Sequence, residues 1–372
     1  MRTVPLKRMT NTIHRRRHFF TDTRTKTRQP LNDSGYEYDL VVIGGGSGGM
    51  AAAKEASRLG AKVANFDYVE PTPRGISWGL GGTCVNVGCV PKKIMHYAAS
   101  FREVFSHANN LGWNATIDDF TWKHLIETTS NHVRSTSFSY SNALRSADVE
   151  YINAEARLEG QNTITYDTPV SFLSEELVSK KISSKYILLA VGSRPHIMKP
   201  DWYSMFESVI TSDDLFWMDS SPGKTLVIGA GYVALESASF LNAFGFDTTV
   251  CVRSQVLRGF DEDCSTRVRD LMECTGVKFR QGVEPSNIVS ESDDVLRVHF
   301  DNDSEVFDTV LLATGRRPRT FNLGLETLFG GIDKLKPTGH LVTDDEDRVV
   351  GDVYAVGDVV FDSPELTPYV EV

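Results

Sequence analysis

A chain of 372 residues with 41% apolar and 24% charged side chains has room for two or three domains and enough apolar surface to bury their cores unaided. No apolar run approaches the roughly 18 uninterrupted residues of a membrane-spanning helix, and a net charge of −10 sets an acidic body against nucleic acid. Five cysteines, at 84, 89, 251, 264 and 274, are too few and too scattered for a secreted disulfide framework, so a reducing compartment is expected.

Residues 1–31 carry nine Lys and Arg against one acid, giving +8 and leaving −18 on the remainder. This Arg- and Thr-rich stretch reads either as a mitochondrial transit-peptide-like segment or as a disordered basic extension over residues 1–35. From Tyr38 the order is a strand (39–44), a glycine turn, a helix (Met50–Leu59) and a strand (62–67), which makes a βαβ unit. A helix is predicted from about Pro91 to Phe105 and a less regular one over roughly 118–144. Residues 151–190 alternate and read as β-rich, and 195–212 has linker and turn character around Pro195 and Pro200. At Lys224 the pattern restarts with a strand (225–229), a glycine turn, a helix (Tyr232–Phe244) and a strand (248–252). Near the C-terminus, VYAVGDVV (353–360) reads as a strand ending in Gly357-Asp358.

The repeated unit carries a dinucleotide fingerprint twice. In the first copy Gly44 allows the tight turn, Gly46 the close approach of backbone to pyrophosphate, and Gly49 the helix–strand contact. Asp67, at the end of the second strand, is placed to accept from a ribose hydroxyl, and the phosphates would meet the outward amides of the helix. In the second copy, Gly229-Ala230-Gly231-Tyr232-Val233-Ala234, the second strand runs instead into Arg253-Ser254, with Arg258 beyond. A carboxylate there would repel a 2′-phosphate, whereas two guanidinium forks and a hydroxyl suit one, so the second site favours NADP over NAD. Two unlike sites on one chain imply FAD in the first and NADPH in the second.

Between the two fingerprints, GGTCVNVGCVPKK (81–93) places Cys84 and Cys89 five positions apart. In a regular helix that spacing rises ~7.5 Å and turns ~140°, which puts the Cα atoms beyond the usual reach of a disulfide; Gly88 could supply the needed break. A metal clip would need two further ligands that His96 alone does not provide, and no metal site is expected. A structural staple closing so short a loop gains little. A redox-active pair is the third reading.

The stretch DYVEPTPRGISWGLGGTCVNVGCVPKK (67–93) resembles the flavoprotein disulfide reductases, the class I pyridine nucleotide-disulfide oxidoreductases. SDDLF (212–216), PGKTLVIGAGYVALE (222–236) and VRSQVLRGFDED (252–263) are similar to the large thioredoxin reductase branch in particular, and the likeness covers about residues 36–368. It implies an α/β protein of glutathione reductase-like fold with two Rossmann-like domains. The FAD domain would comprise 36–195 and 319–372, and the NADPH domain 196–318. It implies Cys84 as the interchange thiol, Cys89 as the flavin-side thiol, Lys92 paired with Glu236, Tyr232 as a gate over the flavin, and Gly357, Asp358 and Thr367 beside the flavin. Ser47, Gly82, Thr83, Gly192, Val233 and Gly315 complete the implied cofactor-binding set.

The activity implied is an FAD-dependent oxidoreductase passing electrons from NADPH to thioredoxin, in mitochondrion or cytoplasm. A glutathione-disulfide reductase and a non-turnover flavoprotein are the alternatives. The family's dimerisation domain, with its His-Pro-Thr relay and C-terminal redox tail, would follow Leu366–Pro368, where this chain reads YVEV and stops. On this reading flavin reduction survives, disulfide turnover falls, and most of the homodimer interface is absent. AVGSRP (190–195) also stands where the family more often has Ala-Thr-Gly, which puts one hydroxyl contact in doubt, whereas ATGRRP (313–318) keeps it.

Overall fold

The computed structural model describes residues 35–370 apart from 115, 117–118, 171–175, 293–294 and 329–333. The basic stretch expected to be a transit-peptide-like or disordered extension therefore lies almost wholly outside the described residues. The first unit runs β1 (Tyr38–Ile43), α1 (Ser47–Arg58), β2 (Val63–Asp67), α2 (Gly82–Val87), α3 (Cys89–Asn110) and α4 (Trp122–Ser146). It continues through β3 (Val149–Asn153), β4 (Ala156–Leu158), β5 (Thr163–Pro169) and β6 (Leu177–Leu189).

β7 (Ser193–Pro195), α5 (Pro200–Met205), β8 (Val209–Thr211) and α6 (Ser212–Leu215) lead into the second unit. That unit has β9 (Thr225–Ile228), α7 (Tyr232–Phe244), β10 (Thr248–Val252), α8 (Glu262–Cys274), β11 (Lys278–Gln281), β12 (Asn287–Ser292), β13 (Val295–His299), β14 (Ser304–Phe307) and β15 (Thr309–Leu312). β16 (Arg316–Pro318), β17 (Arg348–Val350), β18 (Val353–Ala355) and α9 (Thr367–Val370) return to the first.

Among the described residues, an eight-stranded sheet has the order β17-β18-β6-β1-β2-β3, with β5 also on β6 and β4 on β5. β1 lies parallel between β2 (Leu40↔Val63) and β6 (Val42↔Leu188). Five of its six residues are buried, as expected of a parallel strand covered on both faces. The alternation of the strand sorts the two faces. Val41, Ile43, Ile187 and Leu189 join one core with Ile164 and Val353, while Val42 and Leu188 join another under Met50, Ala53 and Leu144 of α1 and α4.

The second sheet is wholly parallel, in the order β11-β10-β9-β15-β8, with an antiparallel meander β12-β13-β14 beside it. Leu226 of β9 packs with Val298 and Phe307 toward the meander, and Val227 with Leu235 and Phe240 of α7 toward the helices. Met95 and Ala99 of α3 enter that same helical core. The helix that begins at Cys89 is thereby packed on the helix that opens from the second glycine turn. Each fully buried side chain of this kind contributes about 1.5–3 kcal/mol.

The expected βαβ units form, with α1 starting three residues earlier than predicted and α7 over the predicted span. The segment 195–212 is more structured than its expected linker and turn character, because α5 and β8 fall within it and β8 closes the edge of the second sheet. A three-residue strand, buried throughout, shows no alternation to read. The strand expected over 353–360 stops at Ala355, and a 3-10 turn spans Gly357–Val359. β7 and β16 pair antiparallel (Pro195↔Arg316, Ser193↔Pro318), so the chain leaves the first sheet and returns to it along one ribbon.

Candidate active site

Both glycine turns are shaped by the strand beside them. At Gly44 (φ 119°) a Cβ would stand 2.1 Å from the Ala190 carbonyl at the end of β6, and at Gly229 (φ 127°) 2.2 Å from the Ala313 carbonyl at the end of β15. Only glycine fits either place, for clash and for backbone sign alike. The helices that follow, α1 and α7, start from Gly46 and Gly231 with no side-chain cap, so their first amides point outward unsatisfied. Asp67 accepts from the Gly45 amide at 3.0 Å. Burial pushes its carboxyl up to about 6 against the opposing pull of the Gly45 and Tyr68 amides.

The break expected between the cysteines is present. α2 ends at Gly88, whose φ −140° and ψ −117° are not helical, and α3 begins at Cys89. A Cβ at Gly88 would stand 2.9 Å from the Thr83 carbonyl. Buried Asn86 pins the turn, donating to the carbonyls of Gly79 (3.1 Å) and Gly82 (2.9 Å) and accepting from Ser137 Oγ. Both cysteines are free thiols, Cys84 half-buried and Cys89 exposed.

The Cys84 thiol donates to Cys89, which holds Cys89 down to about 6, with Lys92 adding a favourable charge and burial opposing both. The same bond, with burial, raises Cys84 well above the ordinary thiol value. The Thr367 hydroxyl, at the start of α9, hydrogen-bonds to both sulfurs. Lys92 Nζ lies 2.7 Å from Glu236 Oε1 on α7, so the pair bridges the two units.

A cavity of about 310 Å³ collects these groups. Of the residues expected to bind a cofactor, its wall includes Gly44, Gly46, Ser47, Asp67, Gly82, Thr83, Gly192, Gly357, Asp358 and Thr367, with Tyr232 and Val233 from the second turn. Cys84, Cys89, Lys92 and Glu236 line it too. Gly49 is buried inside α1 rather than on the wall, where a Cβ would stand 1.9 Å from the Gly44 carbonyl. Gly229, Gly231, Arg253, Ser254, Arg258 and Gly315 are also off this wall. Arg253, Ser254 and Arg258 are exposed beyond β10, in a loop tied to the second turn by the Leu257 amide on the Ala230 carbonyl (2.8 Å). Arg253 faces Glu284 at 3.3 Å.

Several wall residues carry no signal in the sequence. Ser193 Oγ donates to Asp358 Oδ2 (2.8 Å), and Arg316 donates to Ser193 Oγ and O and to Thr83 Oγ1. The RRP of β16 could have drawn attention only as an odd pair of charges on a short strand. Thr314 Oγ1 donates to the His196 carbonyl (2.9 Å), whereas Val191, at the matching place in the first unit, lines the cavity with no hydroxyl to offer.

The donor set fits dinucleotides at both turns. At the first turn a Cβ at Gly82 would stand 2.7 Å from Gly46 Cα, so backbone alone faces the uncapped amides, and at the second the space beside Gly231 is open. No group of three or more His, Cys, Asp or Glu able to hold a metal occurs among the described residues.

The pyridine nucleotide-disulphide oxidoreductase model matches residues 38–370. Thioredoxin reductase of Plasmodium falciparum isolate 3D7 is 46% identical over 344 residues, which is 92% of this chain and 55% of that protein; for isolate FCH-5 the identity is the same and the share of that protein 62%. Thioredoxin reductase 2, mitochondrial, of Drosophila melanogaster is 43% identical over 343 residues, 90% of this chain and 64% of that protein. The chain thus spans between a half and two thirds of the length of these curated relatives. By that match over residues 38–370, this chain belongs to the pyridine nucleotide-disulphide oxidoreductase family.

Proposed function

We propose that the chain binds FAD in the cavity and NADPH at the second glycine turn, and uses Cys84 and Cys89 to pass electrons to the disulfide of thioredoxin. The observation that carries this reading is the convergence of both sulfurs, the Lys92–Glu236 pair and the starts of both turn helices on one wall. Thioredoxin as substrate is supported by the relatives, which are thioredoxin reductases. Residues 36–195 with 319–372 would form the FAD domain and 196–318 the NADPH domain, a division supported by which strands share a sheet. The basic stretch 1–31 and the mitochondrial relative support a mitochondrial location over a cytoplasmic one.

A bound flavin supplies two-electron transfer between nicotinamide and sulfur, which no side chain performs. The chain's own residues handle the exchange. Proton transfer along the Cys84–Cys89 hydrogen bond frees Cys84 as thiolate, and Cys84 attacks one sulfur of the substrate disulfide, expelling a substrate thiolate. Cys89, once deprotonated, attacks Cys84 Sγ, expels the second substrate thiolate and closes the Cys84–Cys89 disulfide. The substrate gains two electrons and one proton from the pair and takes its second proton from solvent, and the pair, one thiol and one thiolate at the start, is left as the disulfide. Lys92 favours the thiolate of Cys89, Glu236 holds Lys92 in place, and Tyr232 stands 45% exposed at the rim as the gate.

The test adds NADPH anaerobically to the purified yellow protein while flavin absorbance and a long-wavelength thiolate–flavin band are followed. Oxidised thioredoxin and oxidised glutathione are then supplied in separate arms. Bleaching followed by recovery with thioredoxin is expected. In Cys89→Ser the band should vanish while NADPH still bleaches the flavin. A colourless protein, or a band that survives the substitution, would refute the reading.

A further inference from the structure

A buried charged cluster lies where the crossing ribbon meets the second sheet. Asp213, on α6, is 1% exposed. Its neighbour Asp214 caps the helix, accepting from the Thr211 amide and hydroxyl and from Tyr203, so Asp213 is free of that task. Asp213 Oδ2 instead accepts from Arg194 Nε at 2.7 Å, while buried Oδ1 accepts no hydrogen bond and holds Arg316 Nη1 by charge alone at 3.9 Å.

Both arginines continue to the segment that leads into the cysteines. Arg194 donates to the Glu70 carbonyl (3.3 Å) and lies over the Trp78 ring at 4.5 Å. Arg316 donates to Thr83 Oγ1 at 3.1 Å, one residue before Cys84. Stability is a poor reason for this cluster, because desolvation offsets the attraction of buried charges and packed apolar side chains serve as well. A planar fork held at both ends does fix direction.

We infer that Asp213 is a positioning residue for the Cys84–Cys89 pair, acting through Arg194 and Arg316. One carboxylate of the second unit fastens both strands of the crossing ribbon and, through them, the loop and first turn that aim Cys84 at Cys89. The inference rests on the redox reading of that pair.

The experiment uses the reduced flavin-loaded protein with exposed Cys264 and Cys274 changed to serine, and records the pH midpoint for alkylation of Cys89. Displacing the first turn breaks the Cys84 hydrogen bond. Asp213→Asn and Thr83→Val should therefore each raise the midpoint by about one pH unit, a tenfold change in ionisation. The double variant should move by less than the sum of the two, because both act through Arg316 while Asp213→Asn also releases Arg194.

Additive shifts, or a folded Asp213→Asn with the parental midpoint, overturn the positioning role alone. A parental midpoint at the ordinary thiol value overturns the redox reading as well. Should Asp213→Asn not fold, Thr83→Val must shift the midpoint while Thr83→Ser, which keeps the hydroxyl, leaves it in place; equal behaviour of the two refutes the inference.

Discussion

Replacing Cys84 by alanine removes the hydrogen-bond donor that chiefly holds Cys89 down to about 6. That is well below the ordinary thiol range near 8.5–9. Lys92 and Thr367 remain and keep part of the depression, whereas burial pushes the other way. The midpoint of Cys89 should therefore rise to about 7.5–8.5. At pH 7 the thiolate fraction would fall from about nine tenths to between about a quarter and a few per cent.

Rate at one pH is a poor readout of this change. A thiolate of higher pKa is more nucleophilic and recovers part of the lost rate. The full pH profile of alkylation, or of thiolate absorbance, measures the midpoint directly. Lys92→Met is the comparison: its charge ranks below the Cys84 bond, so its shift should be smaller and of the same sign. A Cys84→Ala midpoint within half a unit of the parent, or a larger shift in Lys92→Met, would show that the proton shared between the sulfurs is not what tunes Cys89.

Arg253→Ala should weaken 2′,5′-ADP binding by about 10–100-fold, the loss of one charge-assisted phosphate contact, and leave 5′-AMP nearly unchanged, as read by calorimetry. Equal losses for both ligands would remove the 2′-phosphate assignment. Gly44→Val should yield chains with no bound flavin, because the Cβ would stand 2.1 Å from the Ala190 carbonyl. Gly231→Val has open space at its Cβ and should leave the flavin content of the purified protein at the parental ratio.

Two parts of this protein are written locally. Gly44 and Gly229 each follow a run of apolar residues and open a helix, so the turns can be read locally, although what forbids a side chain there is the carbonyl of Ala190 or Ala313 at the end of a distant strand. The kink at Gly88 is local too, since five helical residues carry Cys84 and Cys89 too far apart.

Other parts are not. β8 is three residues long and buried throughout, so nothing in its sequence distinguishes an edge strand from a turn. Lys92 and Glu236 stand 144 positions apart and meet because α3 packs on α7. Asp213, Arg194 and Arg316 look in sequence like ordinary surface charges. They become one buried cluster only because β7 and β16 pair and bring distant strand ends together. The amino-acid order by itself determined where the two turns and the broken helix fall, since strand, glycine and helix follow one another within a few residues. Which groups face the sulfurs across the cavity was decided by sheet order and helix packing, whose contacts leave no periodic trace along the chain.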